Sequence, residues 1–411
     1  MEGRSNILKT IIGHVERVLP RTWSRCIKDF RFSASREWNL EYVLEVLLAG
    51  ALTGCKTLRD VETLSELYGE RIPDTTLHDL MVRLDPEGLR KELAKGVKQA
   101  LREHELPKSE FPIRITAIDG KYLYNTRKAV NEYSEPIGGG GEDKLFRHMA
   151  LRAVHVSSET KLYLGQREIE CKGSETKNLL PFIDHLRELY GRSDLLNVIS
   201  VDAGMVSKRN ATEIIDRELH YIMALKKTQP TLHTLACESF LESTPVYEYT
   251  EIYNGKEITR TLYRTPAPAV EGWQHLQEIW KEVNVSCTPG SDKTTEFTRY
   301  FMTSLQLSTL SNSNVLQAIR MHWGIENNAN WCFDVNFHED TAPWTSRAME
   351  LVSLLRMMAY NILSRLKTRQ LNARRHRTIR WKDLFKYFEH ALCNARIIAE
   401  TLGSETPAFL R

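Results

Sequence analysis

The chain has 411 residues, 42% hydrophobic and 27% charged, with a net charge of +3, the balance of an ordinary soluble protein long enough for about two or three domains. No run approaches the roughly 18 apolar residues of a membrane span; the most apolar stretch, 43–52, is broken by Glu45. The start Met1-Glu2-Gly3-Arg4-Ser5 leads into no signal-peptide pattern, and the seven cysteines contain no Cys-x-x-Cys pair, so zinc and disulfide frameworks are not expected and a cytoplasmic location is.

Residues 1–106 read as a helical N-terminal domain. Helical periodicity over 40–52 is followed by a helix over 57–67, a polar break at 69–74, and a helix over 75–84 that Asp74 can cap. Helix, short turn, helix suits a DNA reader presenting Thr75, Thr76, His78 and Arg83; it suits a plain helical bundle equally. Residues 107–112 read as a linker. At 113–118 the pattern becomes an alternating β-branched strand ending in Asp119-Gly120-Lys121. Beyond Gly138-Gly139-Gly140-Gly141, read as a flexible loop, strands are expected over 148–157 and 161–169, then a helix over 177–189. A buried strand over 197–201 ends in Asp202; a helix over 207–218 and a strand over 221–225 complete this first part of a core, 113–230.

Residues 231–298 form a β-rich insertion, with a hairpin over 246–264 around Asn254-Gly255 and a strand over 278–285. The second part of the core, 299–366, holds a strand over 295–305 and a helix opening after Ser311-Asn312-Ser313. At 3.6 residues per turn, Ile319, His322, Glu326 and Asn330 share one face of that helix. An apolar helix over 345–366 follows. The segment 367–411 is basic and helical: from Arg365 to Lys382 there are eight lysines and arginines and no acid. Such a run is either a solvated segment or a phosphate-contacting patch that would use Arg374, Arg375 and Arg377.

Asp119 and Asp202 at strand ends and Glu326 on a facing helix can converge. Hard oxygen ligands of this kind suit Mg²⁺ or Mn²⁺, and two such ions serve phosphodiester cleavage. No Gly-x-Ser-x-Gly, Walker loop or His-Glu-x-x-His pattern offers a rival chemistry.

The string Arg320-Met321-His322-Trp323-Gly324-Ile325-Glu326-Asn327, continued by Trp331, Asp334-Val335, Phe337 and Glu339-Asp340, resembles the DDE transposases of bacterial insertion sequences, nearest to the H-repeat-associated type. Segments 117–121 and 201–203 are similar to that group's two catalytic aspartate segments; 221–229 and 299–305 also fit, and the resemblance covers about 40–370. It implies an α/β fold, a ribonuclease H-like mixed sheet with flanking helices and a β-rich insertion before the glutamate. It also implies metal-dependent cutting of double-stranded DNA at transposon ends, then strand transfer into a target. A homodimer holding two ends is the implied assembly.

Carried over, Asp119, Asp202 and Glu326 are the catalytic, metal-binding triad. Related enzymes place an arginine before the glutamate and a lysine after it, both on DNA phosphates. Arg320 fits the first role; Phe333-Asp334 stands at the second, leaving Lys121 or Arg347 as substitutes. His322 is either a phosphate contact or a packed helix histidine. Asn327 and Asn330 either orient the site or cap helix ends. Asp334, Glu339 and Asp340 either assist metal binding or form a solvated acidic turn. Trp273 and Trp280 either stack on a flipped base or pack in the core. The alternatives to a transposase are a nuclease of the same fold that cuts without joining, and a domesticated DNA-binding protein without catalysis.

Overall fold

The computed structural model describes residues 10–14, 17–18, 27–28, 30, 38–68, 70–137, 145–191, 193–288, 294–339, 348–372 and 378–402. The glycine run 138–141 lies outside them. From residue 40, four helices precede the first strand: α1 (Leu40–Thr53), α2 (Leu58–Tyr68), α3 (Asp74–Val82) and α4 (Pro86–Arg102). The Asn39 side chain accepts the Glu41 N–H at 2.8 Å to open α1, and Gly54 closes it in the left-handed conformation, φ 78°. Asp74 is not the cap expected of it. Pro73 stands at the cap position, Asp74 is the first helical residue, and its N–H goes to Glu62 Oε2 at 3.1 Å.

The chain then builds β1 (Ile115–Thr126), β2 (Glu135–Ile137), β3 (Leu145–His155), β4 (Leu162–Ile169), α5 (Glu175–Tyr190), β5 (Val198–Val201), α6 (Lys208–Asp216) and β6 (His220–Leu225). Next come α7 (Pro230–Glu238), which the sequence pattern did not suggest, and the strands β7 (Tyr247–Tyr253), β8 (Lys256–Pro266), β9 (Glu278–Cys287) and β10 (Thr294–Thr303). All belong to one ten-stranded sheet, ordered β2-β3-β1-β5-β6-β10-β9-β8-β7, with β4 on β3. β1, β5 and β6 run parallel at its centre; the other pairings are antiparallel. β5 is buried at every position, which is why Val198-Ile199-Ser200-Val201 reads as a continuous apolar run rather than an alternation.

One feature differs from the sequence expectation. β1 does not stop at Asp119: β3 pairs with it from Thr116 to Thr126, so the acid lies within a long antiparallel ribbon. β10 pairs with β6 over Tyr300–Thr303 and with β9 along its whole length, so β7 to β10 prolong the central sheet. The β7–β8 turn is as expected, with Asn254 (φ 50°) and Gly255 (φ 73°) both left-handed, the geometry of a type I′ hairpin. Of the two roles open to Trp273 and Trp280, packing holds: both are buried in the core.

After α8 (Asn312–His322) and α9 (Trp331–Asn336) come α10 (Ala348–Leu366) and α11 (Trp381–Leu402). α10 is buried nearly all round, between α1, α4 and β4, and its apolar residues bury Ser353, Arg356, Asn361, Ser364 and Arg365 with them. Its buried Asn361 is satisfied by the backbone N–H and carbonyl of Tyr163, at 2.8 and 2.9 Å. The result is an α/β molecule, a mixed sheet flanked by helices. No helix among the described residues is long and apolar enough to cross a membrane.

Candidate active site

The parallel register brings the two aspartates together. Ile118 pairs with Val201 as the last step of the β1–β5 ladder, and Asp119 and Asp202 are the next residue on each strand. Adjacent strands lie about 4.8 Å apart, so the two acids emerge side by side where the parallel ladder ends.

Glu326 arrives by a route the helical pattern hides. α8 starts as expected, with Ser311 Oγ accepting the Asn314 N–H at 3.3 Å, but it ends at His322. A π-helical turn, Ile325–Asn330, joins it to α9 and packs against β1 and β3. The wider turn breaks the expected shared face: Ile319, His322 and Asn330 are buried, whereas Glu326 and Asn327 point to solvent. Exposed though it is, Glu326 remains an electrostatic neighbour of Asp119 and Asp202.

Electrostatics ties the three acids into one site. Burial, then Glu326, raises Asp119 from 3.8 to about 7, with Glu175 and Asp202 adding to the shift. Glu326 is raised by burial and then by Asp202, against the pull of Lys226 and Arg299. Asp202 moves the other way. Burial would raise it, but the Ala203 backbone N–H and the Lys226 ammonium together hold it below its usual value. Neighbouring carboxyls with pKa values pushed apart are a mark of a functional site.

Two groups at the site escaped sequence reasoning. Glu175, the first residue of α5, lies against Gly120, where a Cβ would run into its carboxylate and into Met149; a Cβ on Gly204 would stand 3.2 Å from its Oε2. Asp119-Gly120 is therefore a close approach within a strand, not a turn. Lys226 follows the last residue of β6, the third parallel strand, and its Nζ bonds Asp202 Oδ2 at 3.0 Å and Oδ1 at 3.2 Å. Its position was findable, since ligand sites gather at the carboxyl ends of parallel strands.

The donor set fits a hard divalent cation: Asp119, Asp202 and Glu326 offer only carboxylate oxygen, with no thiol among them. In this conformation no three such side chains among the described residues stand close enough to hold an ion together, and Lys226 takes the part of a cation at Asp202. The face is open. A cleft of about 720 Å³ lined by Arg90, Asn131, Glu168 and His185 lies elsewhere and contains none of the three acids.

The family model of the transposase DDE domain matches residues 110–362, which span all three acids. The chain belongs to the DDE transposases. Its relatives include YncI of Escherichia coli O157:H7, which carries a transposase name, 26% identical over 369 residues, 82% of this chain and 85% of the relative. The H repeat-associated YhhI of Escherichia coli K12, also named as a transposase, is 24% identical over 379 residues, 85% of this chain and 91% of the relative. These place the transposase with the H-repeat type. A piggyBac transposase solved as a synaptic complex with hairpin DNA is a remote likeness, with a TM-score of 0.44 and 11% identity over 98% of this chain and 82% of that one.

The transposase holds most of the other singled-out side chains in structural contacts. His322 is buried, bonded through Nδ1 to Ser200 Oγ at 3.0 Å, and lowered by burial to about 4, so it packs behind the acids as a neutral ring. Asn330 accepts the Tyr163 hydroxyl at 3.0 Å in the interior, whereas Asn327 is exposed. Arg320 reaches Glu251 of β7 at 2.9 Å, strapping the insertion to α8. Lys121 is paired with Asp334 at 2.5 and 2.7 Å, and Phe333 is fully buried. Glu339 is neither solvated nor poised for metal: it is buried and bound by both Arg152 terminal nitrogens, at 2.6 and 2.8 Å. Within the basic run, Arg365 is buried on Glu105 and Arg369 pairs with Glu110. Asp340, Arg347, Arg374, Arg375 and Arg377 lie outside the described residues.

Proposed function

We propose that this transposase cuts double-stranded DNA at the ends of its own element and joins the freed 3′ ends to a target. A ribonuclease H-like core, 113–230 with 299–366, carries the chemistry in this reading. The helical residues 1–106 and the basic segment 367–411 engage DNA, and the strands of 231–298 form the insertion. The observation that supports this reading best is that Asp119 and Asp202 each follow the last pair of the β1–β5 ladder, with Glu326 an electrostatic neighbour of Asp119.

Asp119, Asp202 and Glu326 would hold two Mg²⁺ or Mn²⁺ ions. Such ions, when bound, activate the attacking water or 3′-hydroxyl and balance charge on the leaving oxygen. The protein's share is positioning. Two strands and the π turn carry the carboxylates on regular elements, and Asp119 gives up its proton as a cation is taken. Two element ends must be held at once, so the working form is a homodimer on DNA, in the cytoplasm beside the chromosome.

The test uses purified protein, Mg²⁺ or Mn²⁺, labelled DNA carrying the sequences that flank the gene, and a supercoiled target. Wild type is compared with Glu326→Gln, which removes a charge and little volume. Cleavage and joining in wild type, both lost in the variant while DNA binding is kept, is the expected result. Cleavage without joining would make the protein a nuclease, and equal behaviour of the two proteins would refute the triad.

A further inference from the structure

The phosphate-binding cation that the resemblance places after the glutamate is missing here, because position 333 is a phenylalanine buried against Tyr163, Phe337 and Tyr360. The substitutes suggested by sequence are committed elsewhere or out of view. Lys121 is held by Asp334, and Arg347 lies outside the described residues. Lys226 is different. Its ammonium rests on a triad carboxylate, 3.0 and 3.2 Å from Asp202, and its side chain keeps 59% of its surface exposed.

The loop behind it is anchored to the site. Gln229 donates from Nε2 to the Ala203 carbonyl at 3.2 Å, one residue beyond Asp202, and the Gln229 N–H closes a turn on the Lys226 carbonyl at 3.0 Å. Pro230 then begins α7. The backbone of Lys226 is thus fixed beside Asp202, and its four-carbon stem is free to swing.

Resting on the transposase reading above, we infer that Lys226 supplies the missing phosphate contact. It neutralises Asp202 in the cation-free protein; when a divalent cation takes that carboxylate, the ammonium passes to a non-bridging oxygen of the scissile phosphate. A lysine suits this exchange because it is a compact point charge on a flexible stem. One side chain then has two opposed effects: it competes with the cation and assists the reaction.

That opposition is the signature to measure, with full-length wild type, Lys226→Gln, Lys226→Arg and Glu326→Gln. Mn²⁺ affinity is titrated by calorimetry without DNA, and single-turnover cleavage is followed on DNA carrying the flanking sequences. Lys226→Gln should bind Mn²⁺ about two- to fivefold more tightly, the range set by losing one exposed ion pair. It should cleave on the order of a hundredfold more slowly, as for loss of one transition-state contact, with Lys226→Arg restoring most of the rate. Cleavage at the wild-type rate in Lys226→Gln, weaker Mn²⁺ binding, or a loss that arginine does not restore would each overturn the inference. If Glu326→Gln is inert while Lys226→Gln cleaves normally, the lysine role alone fails. If Glu326→Gln cleaves like wild type, or wild type leaves this DNA intact, the reading beneath it fails too.

Discussion

At the residue scale, Asp119 sets the pH behaviour. Its carboxyl stands at about 7 in the folded chain against an ordinary 3.8. The folded protein therefore keeps a proton that the unfolded chain has lost, and stability falls as pH rises from about 4 to about 7, then levels off. Asp119→Asn should melt at about the same temperature as wild type at pH 4 and at least about 2 °C higher at pH 8, in calorimetry without divalent ions. A lower melting temperature at pH 8 would contradict this. Cation binding must expel the same proton, so Mn²⁺ affinity should weaken by about tenfold per pH unit below 7. A flat affinity between pH 5.5 and 8 would remove Asp119 from the ligand set.

At the scale of elements, the strands and helices were largely legible in the sequence because each carries its own signal: alternation in β7 and β8, an apolar run in β5, Ser311 at the start of α8. What one element does to another was not. The extension of β1 past Asp119 depends on β3, and no local pattern announces a partner strand. The π turn at Ile325–Asn330 was invisible because a 3.6-residue period fits Ile319, His322, Glu326 and Asn330 well; only packing against β1 and β3 shows the register shift. The three acids could be picked by chemistry and order, whereas Glu175 and Lys226 join them only through helix and strand placement.

The Arg152–Glu339 pair shows how elements are locked. Arg152 of β3 binds Glu339, Gln166 of β4 and Ser353 of α10, fixing the segment after α9 to the sheet. Arg152→Met would take from the buried Glu339 carboxylate the guanidinium that binds both its oxygens, leaving the Ser353 hydroxyl at 3.4 Å, and the expected cost is about 3–5 kcal/mol. Arg152→Met with Glu339→Leu should recover much of that loss in denaturant melts. A single variant as stable as wild type would mean that this pair does not anchor the segment.

At the scale of the whole molecule, Asp119 and Asp202 stand where the central parallel ladder of the sheet ends, and the same sheet runs on through β10 to β7, with Arg320 and Glu251 joining β7 to α8. A strained or displaced insertion would thus reach the π turn through α8. Cutting this strap with Arg320→Ala should lower cleavage more than it lowers DNA affinity. Equal losses in the two would mark Arg320 as a phosphate contact instead. With a net charge of only +3, affinity for DNA must come from local cation clusters and should fall steeply with salt. A logarithmic slope near zero between 50 and 200 mM would argue against phosphate contacts as its source.

The most direct test of the site is whether the three acids act as a unit. Single-turnover cleavage of DNA carrying the flanking sequences would be measured for Asp119→Asn, Asp202→Asn, Glu326→Gln and the triple variant, with DNA binding followed in parallel. Residues that hold one reacting centre are grossly non-additive, so each single variant should lose nearly as much rate as the triple, with binding retained. Losses that multiply independently, or one variant that still cleaves near the wild-type rate, would show that Asp119, Asp202 and Glu326 do not form one catalytic site.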